Sequence, residues 1–362
     1  MKINFPNHYR PEKADIDKAY ENAIFILDTN TLLDLYRINP EVTEKALKTI
    51  KKHRDKIFIA RHTDEEYHRH HYDISAEMCL TVKEVVTHLS VDPFRAKLEE
   101  IIKKSSKFNC TFPLDLQKRY LIKLETTINE IKNELSSLQG HFKKNFETHT
   151  LQHEISGLFQ DRVLPGLNEA EIDDIVKSKG PERYNKKTPP GYMDAGKATD
   201  KDDNNTYGDL IIWFEILEFV KKNPTDIFFI SRDVKEDWLS QVGDMVIGPR
   251  MELLVEFRKV APHNIFHIIT LTDFLEKFGK GEDFSKDELG SIPTSSFVQM
   301  SPFGFMDDYK HIPKDQRHSL EDQYDDGSEG SFSSTGVRRK RIRRSLHTDS
   351  PPLHSSEDSL QD

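Results

Sequence analysis

The chain has few cysteines and no long apolar run. Cys79 and Cys110 are the only cysteines among 362 residues, and their spacing is not that of metal ligands. No apolar stretch approaches the roughly 18 residues that a membrane span requires. Residues 1–6 lack the apolar core of a secretory signal. We therefore expect a soluble protein of the reducing cytoplasm, without a membrane partner.

Several signatures of catalysis are missing as well. The sequence has no Ser-His-Asp spacing, no phosphate loop of the GxxxxGKS/T type and no Cys/His zinc motif. Its formal net charge is −10, which does not favour nucleic acid for the molecule as a whole. Phosphate contacts need only a local basic surface, however, and an acidic metal site contributes negative charge of its own.

What the chain does contain is short apolar runs followed by acids. Residues 23–27 precede Asp28, and residues 227–230 precede Ser231 and Asp233. Runs of four or five apolar, partly β-branched residues are typical of strands buried on both faces of a parallel sheet. Segments with helical spacing alternate with such runs, which predicts an α/β fold with a central parallel sheet flanked by helices.

The predicted elements fall into two blocks of the sequence. Strands are expected at 23–27, 57–60, 227–231 and 265–269. Helices are expected at about 40–53, from near Thr63, at 209–222, at about 234–240, near 250–258 and at 271–278.

Between the two blocks lies a segment with a heptad pattern. Its apolar residues recur at alternating spacings of three and four: Leu121, Leu124, Ile128, Ile131, Leu135, Leu138 and Phe142. This pattern predicts a long helix packed on a partner helix, and the helical spacing over about 74–104 supplies the partner in an antiparallel hairpin. The pattern fits simple core packing, and it also fits an arm that grips a substrate or forms a homodimer.

Composition divides the chain into three parts. Residues 1–73 and 180–280 form the predicted α/β domain, residues 74–179 a helical, coiled-coil insert, and residues 281–362 a low-complexity, disordered tail. Six of the seven residues at 338–344 are basic, which fits a nucleic-acid arm, a targeting patch or a solvated segment. The polar loop at 180–206 is long enough to predict a functional role.

Four acids follow strands or open helices: Asp28, Glu66, Asp209 and Asp233. Three of them have a structural interpretation as helix caps. Thr63 with Glu66, and Thr206 with Asp209, have the spacing of a capping box, and Asp233 could be the N-cap of a helix. The ends of strands and the starts of helices share one edge of a parallel sheet, however, so all four acids are expected to converge there.

Four carboxylates in one cleft repel one another unless a cation lies among them. Hard divalent cations such as Mg²⁺ prefer oxygen ligands. Two such ions about 4 Å apart can activate a water and stabilise the leaving oxygen of a phosphodiester. The acids therefore indicate a site for divalent cations. The histidines among residues 67–71 would suit a softer metal, but we interpret this stretch as an exposed helix face.

In this order the motifs resemble those of PIN-domain nucleases, and in particular bacterial PIN-like proteins with a long helical insert. The resemblance rests on residues 28–33 (Asp-Thr-Asn-Thr-Leu-Leu), 65–68, 189–194, 208–213 and 231–238. It spans residues 20–278, with the heptad segment as the insert. Each motif is short, and their order makes the combination specific.

The resemblance implies a metal-dependent endoribonuclease that leaves a 5′-phosphate and a 3′-hydroxyl. It assigns Mg²⁺ or Mn²⁺ to the catalytic acids Asp28, Glu66, Asp209 and Asp233, with Asp194 and Asp237 as additional metal ligands and Asn30 and Ser231 orienting the ligands. Because Glu65 precedes Glu66, helix phase could exchange these two. Basic residues near the site are candidates for contacts with RNA or single-stranded DNA: Arg183, Lys186, Lys187, Arg232 and Lys235.

Two other classes of function fit the same sequence. In a non-catalytic binding module, the acids would only cap helices and the insert would recruit a partner. A metal-dependent phosphatase would use a similar scaffold, but haloacid-type phosphatases have a second aspartate two residues after the first, where this chain has Asn30. A free nuclease would also need restraint, and a regulatory protein partner is one means of supplying it.

Overall fold

The alternation of short apolar strands and helices reappears in the computed structural model, which describes residues 11–106, 114–197, 206–232, 235–242, 245–293 and 298–299. Within these residues the strands are β1 (Ile24–Leu27), β2 (Ile57–Ile59), β3 (Ile227–Ile230), β4 (Leu239–Val242), β5 (Met245–Pro249), β6 (Phe266–Ile269) and β7 (Val298–Gln299). The helices are α1 (Lys13–Asn22), α2 (Thr29–Asp34), α3 (Pro40–Lys52), α4 (Arg61–His88), α5 (Asp92–Ser106), α6 (Leu114–Thr148), α7 (Thr150–Phe159), α8 (Glu169–Asp174), α9 (Gly180–Asn185), α10 (Gly208–Lys222), α11 (Met251–Val260), α12 (Leu271–Phe278) and α13 (Lys286–Gly290).

Four parallel strands form the central sheet in the order β2-β1-β3-β6. Leu27 lies opposite both Ile59 and Ile230, so β1, β2 and β3 end at one level. From β1 the chain continues to β2 on one side and later to β3 on the other, which makes the gap between β1 and β3 a topological switch point. Asp28 and Ser231 directly follow these two strands, at the position where open α/β sheets bind ligands.

Apolar layers cover both faces of the sheet, which explains why β1, β2 and β3 are apolar throughout. Phe25 and Phe228 pack into a layer that includes residues of α1, α3 and α12. Ile26 and Phe229 point to the opposite face and pack against residues of α10 and α11. The predicted fold class, a helix-flanked parallel sheet, is confirmed.

The heptad segment forms the long helix α6, which packs on α4 in an antiparallel arm. Ser75 of α4 and Phe142 of α6 line one cavity. Arg95 of α5 follows Ser75 in the chain, but its partner Glu125 precedes Phe142, so the two segments run in opposite directions. Phe142 is only 7% exposed but Ile131 is 40% exposed, so the seam is well covered only near the sheet. Although α4 and α6 are long, no helix in the described ranges is apolar enough over sufficient length to cross a membrane.

The helix predicted over about 234–240 is wrong. Residues 236–238 form a turn, and β4 begins at Leu239 and pairs antiparallel with β5. Leu239 and Val246 are buried, so the hairpin contributes to the core. The dipeptide Gly243-Asp244, which lies outside the described residues, is of a type that favours two-residue hairpin turns. The hairpin signal was therefore present in the sequence.

Candidate functional site

Asp28 is buried at the switch point between β1 and β3. It is the N-cap of α2, and its Oδ1 accepts the backbone N–H of Thr29 at 2.8 Å. Its Oδ2 accepts the hydroxyl of Ser231 at 2.8 Å and the amide of Asn30 at 3.5 Å. Asn30 and Ser231 therefore both contact Asp28, and the donors around this carboxylate fix its orientation.

Glu66 lies beside Asp28 because Thr29 contacts both carboxylates. The Thr29 hydroxyl donates to Oε2 of Glu66 at 2.6 Å, while its backbone N–H donates to Asp28. Burial acts to raise the pKa of Glu66, but His62, the Thr29 hydroxyl and the charge of Arg69 outweigh it and hold that pKa below its ordinary value. The Glu66 carboxylate is therefore favoured in its charged form.

Of the two adjacent glutamates, Glu66 is the one that faces the site. Its side chain is 21% exposed, against 49% for Glu65. Glu65 is instead directed toward solvent and pairs at 3.1 Å with Arg61 on the preceding turn of α4. The helix phase that brings Glu66 to Thr29 thus turns Glu65 away.

The start of α4 is held by an acid from another helix. The helix begins at Arg61 after Ala60, which provides no side-chain cap, so the interpretation of Thr63 as an N-cap is wrong. The buried Glu215 of α10 accepts the backbone N–H of His62 at 3.1 Å. Burial raises the pKa of Glu215 to about 7, although its contacts with the backbone of His62 and Arg61 act to lower it.

Asp209 reaches the site at the first turn of α10. This helix starts at Gly208 after Tyr207 and has no side-chain N-cap, so the capping interpretation of Thr206 and Asp209 is wrong too. Oδ2 of Asp209 instead accepts the indole N–H of Trp238 at 3.1 Å. A β-carbon at position 208 would lie 2.8 Å from Oε1 of Glu66, so glycine is what allows α10 to approach Glu66 so closely.

Gly191, in the middle of the predicted 180–206 loop, packs against Asp209. The first residues of that segment form α9 (Gly180–Asn185) and are not a loop. Gly191 has a φ of 85°, and a β-carbon there would lie 2.4 Å from the hydroxyl of Tyr184 and 3.0 Å from Cβ of Asp209. Burial raises the pKa of Tyr184, and the charges of Asp209, Asp194 and Asp237 raise it further. The charges of all three acids therefore act on one buried phenol.

Asp194 and Asp237 are joined through neighbouring residues. The backbone N–H of Met193 donates to Oδ2 of Asp237 at 3.2 Å. Both carboxylate oxygens of Asp194 lie 3.2 Å from Nζ of Lys235. A cation, here an ammonium group, is thus already accommodated at one edge of the acidic cluster.

The chemistry of these donors fits a hard divalent ion. Carboxylate oxygens are the ligands that Mg²⁺ and Mn²⁺ prefer, and several are brought to one sheet edge. Among the residues that the structure describes, no group of three or more His, Cys, Asp or Glu side chains is arranged to hold a metal ion. Asp233, the fourth predicted acid, lies outside the described residues, as do the basic residues at 338–344.

The predicted nucleic-acid contacts separate into two groups. Arg183 is an internal residue, since it pairs with Glu256 at 2.7 Å, donates to the carbonyl of Pro189 and packs on Phe214. The other four lie at the surface or the sheet edge. Lys186 and Lys187 are exposed, and Lys186 pairs with Glu182 at 2.7 Å. Lys235 pairs with Asp194, and Arg232 pairs with Asp34.

Sequence reasoning missed the residues that position the acids. Thr29 stands inside the Asp28 motif, but nothing in the sequence indicated that its hydroxyl would bind Glu66. Trp238 is buried in the core, and its indole N–H also holds Asp209. Glu215 did carry a signal, because it is a lone acid within the apolar stretch 210–217 and charged residues are seldom fully buried without a partner.

A comparison with protein families gives one match. Residues 24–253, more than half of the 362-residue chain, match a family model described as a PIN like domain. The matched range includes every acid of the site. No curated protein and no solved structure matches the chain.

Proposed function

The chain belongs to the PIN-like domain family, and from that membership we propose that it is a metal-dependent nuclease that hydrolyses phosphodiester bonds in RNA. PIN domains are generally nucleases that use divalent metal ions. The observation that carries the proposal is that Thr29 donates hydrogen bonds to both Asp28 and Glu66 at the switch point of the sheet, while Gly208, the neighbour of Asp209, packs against Glu66.

The proposed metal ligands are Asp28, Glu66, Asp209 and Asp233, with Asp194 and Asp237 as additional acids and Mg²⁺ or Mn²⁺ as the ion. When bound, such ions lower the pKa of a water and stabilise the leaving oxygen. The neighbours of the acids keep the carboxylates in place: Ser231 and Asn30 for Asp28, Thr29 for Glu66 and Trp238 for Asp209. Fixed orientations of this kind strengthen metal binding. The products are a 5′-phosphate and a 3′-hydroxyl.

Substrate binding is proposed to depend on local positive charge. Arg232 and Lys235 at the sheet edge, with Lys186 and Lys187 on the adjoining surface, are the residues we assign to the phosphate backbone. The net charge of −10 gives no general attraction to nucleic acid, so binding depends on these local contacts with phosphates. Because such contacts release counterions, the affinity should fall as the salt concentration rises. The substrate is RNA of the cytoplasm, and single-stranded DNA is the second candidate.

The deciding experiment is cleavage of labelled single-stranded RNA and DNA by the wild type and by Asp28→Asn, with Mg²⁺, Mn²⁺ or EDTA. We expect Asp28→Asn to abolish cleavage, since it removes a charged ligand. Asparagine is as good an N-cap as aspartate, so the variant should remain folded. Thermal unfolding checks that it does.

Asp226→Asn is the matched control. Asp226 precedes β3 at the opposite edge of the sheet, and its Oδ1 accepts the backbone N–H of Ile265 at 2.8 Å. The same chemical change is made there, away from the acids, so cleavage should be retained. Cleavage by Asp28→Asn at the wild-type rate, or cleavage that EDTA does not inhibit, would contradict the proposal.

A non-catalytic interaction module is the second candidate function. Leu80, Phe94 and Ile122 of the arm are exposed, and apolar surface of this kind favours a protein partner, either a regulatory protein or a second copy of the chain. A non-catalytic module should show no cleavage with Mg²⁺, with Mn²⁺ or in EDTA. It should also show no thermal shift with Mg²⁺ or Mn²⁺ in the wild type.

A further inference from the structure

Two arginines share one buried carboxylate next to the acidic site. Nη1 of Arg37 and Nη1 of Arg232 both donate to Oδ1 of Asp34, at 3.0 and 2.9 Å. The Asp34 side chain is 3% exposed, whereas those of Arg37 and Arg232 are 26% and 33% exposed. The carboxylate therefore lies inside the protein while both guanidinium groups reach its surface.

This cluster of Arg37, Asp34 and Arg232 carries surplus positive charge. Two guanidinium groups face one carboxylate, and burial raises the pKa of Asp34 more than the two arginines lower it. Each guanidinium carries five N–H donors, and the contact with Asp34 uses one of each. The cluster is thus equipped to accept a second anion at the surface.

The cluster is also tied rigidly to the proposed active site. Positions 28, 31 and 34 lie on one face of α2, three residues apart. Ser231 donates to Asp28, Thr31 donates to the carbonyl of Ile230 at 2.9 Å, and Arg232 pairs with Asp34. Asp34 lies six residues after Asp28, which is about 9 Å along the helix at about 1.5 Å per residue.

We propose that Arg37 and Arg232 bind one non-scissile phosphodiester of the substrate strand, with Asp34 holding the two guanidinium groups in position. The assignment rests on the proposed function, since the acids define where the scissile bond lies. A planar guanidinium matches phosphate in a bidentate geometry, and fixing it beforehand reduces the entropy lost on binding. One surplus positive charge matches the single charge of a diester better than the charge of about −2 on a terminal phosphate.

The other explanation of the cluster is a structural clamp between α2 and β3. Binding measurements distinguish the two explanations. Affinity for single-stranded RNA is measured in EDTA in the Asp28→Asn protein, so that cleavage does not interfere. Adding Arg37→Gln should weaken binding about tenfold for all sequences and reduce the slope of log Kd against log salt by about 0.7.

Arg95→Gln is the matched control. Arg95 also forms an exposed ion pair, with Glu125 on the arm, so this variant removes the same charge from the protein far from the sheet edge. It should leave both the affinity and the salt slope unchanged. An equal loss of affinity in Arg95→Gln would mean that overall charge, and not the cluster, governs binding, and would overturn the proposal.

Oligonucleotides with one neutral methylphosphonate linkage locate the phosphate. Moving the neutral linkage along the strand should weaken binding about tenfold at one non-scissile position, and Arg37→Gln should add no further loss there. At every other position, the fold-loss of affinity from the neutral linkage and the fold-loss from Arg37→Gln should multiply, because the two changes act independently. Arg37→Lys keeps a positive charge and should retain part of this coupling, which preserves the test if Arg37→Gln unfolds.

Three results would overturn the assignment. A lower melting temperature in Arg37→Gln with unchanged affinity for every oligonucleotide would leave only the clamp. If the fold-losses of affinity from the neutral linkage and from Arg37→Gln multiplied at every linkage position, Arg37 would contact no single phosphate. A preference for 5′-phosphorylated over 5′-hydroxyl RNA that Arg37→Gln removes would assign the cluster to a terminal phosphate. The expected coupling without cleavage by the wild type would support the cluster and refute the nuclease.

Discussion

Glu215 is a buried acid whose charge state is coupled to the start of α4. It accepts the N–H of His62, one turn before Glu66, and burial raises its pKa to about 7 from an ordinary value of 4.5. The folded protein therefore binds this proton more tightly than the unfolded chain does. The stability that results is fully present below about pH 4.5 and is lost as the pH rises through about 7.

Glu215→Gln should remove this pH dependence. Between pH 4.5 and 7, the free energy of unfolding of the wild type should fall by about 3 kcal/mol relative to the variant, at about 1.4 kcal/mol per pKa unit. Urea unfolding of both proteins across this range measures the difference. Parallel curves would mean that Glu215 is not held in a desolvated environment.

Gly208 determines how closely α10 approaches Glu66. In Gly208→Ala the new β-carbon would lie 2.8 Å from Oε1 of Glu66 and 3.1 Å from Nε2 of the buried His62, so the Glu66 carboxylate must move from its contact with Thr29. We expect metal-dependent cleavage to fall about 10- to 100-fold, as for other changes that misorient a ligand, with little loss of stability. Cleavage assays and thermal unfolding give the two readouts.

Gly140→Ala is the control for this substitution. Apart from its chain neighbours and the backbone of α6 itself, no atom of the described residues lies within 4 Å of a β-carbon at position 140, so alanine should stabilise the protein by about 0.5–1 kcal/mol and leave cleavage unchanged. If Gly208→Ala cleaved as fast as Gly140→Ala, close packing against Glu66 would not matter for activity.

At the scale of elements, the arm is anchored at its base. α4 runs from the sheet edge into the arm without a break at residue 73, so Glu66 and the arm belong to one helix. The heptad seam of α6 is buried at Phe142 and exposed at Ile131. A seam covered along only part of its length leaves the outer arm with apolar surface.

Phe142→Ala and Ile131→Ala test this gradient of burial. Phe142→Ala should lower the free energy of unfolding by about 3 kcal/mol because it deletes a buried ring. Ile131→Ala should cost under about 1 kcal/mol because its side chain already contacts solvent. Urea unfolding measures both, and equal losses would indicate that a second copy or a partner covers the outer seam.

At the scale of the whole molecule, charge is unevenly distributed. The protein carries a net charge of −10, yet residues 338–344 contain six basic residues in seven. These residues lie outside the described part of the chain, so their role remains a prediction from sequence. If they form a nucleic-acid arm, they add phosphate contacts that do not depend on the acidic site.

Removing residues 319–362 should weaken RNA binding and make its salt dependence shallower, because phosphate contacts are lost. The cleavage rate at saturating RNA should not change. Replacing only the six basic residues of 338–344 by glutamine is the control, and it should reproduce the effect. Binding that is unchanged at every salt concentration would refute the arm.

The sequence by itself determined the central sheet and the placement of Asp28 and Ser231 at its edge. Strands buried on both faces must be apolar throughout, so β1 and β3 are recognisable from local composition, and the residues after them necessarily lie at one edge. The long helix α6 follows from periodicity in the same way. These features depend on neighbours within a few positions of the chain.

Only the tertiary structure decided which side chains face the site. Glu66 rather than Glu65 meets Thr29 because the phase of α4 is set where that helix begins, at a point held by Glu215 from a distant segment. Arg183 is internal because Glu256 packs against it, and Arg37 joins Arg232 because both reach Asp34. Such contacts join residues far apart in sequence, and no local pattern encodes them.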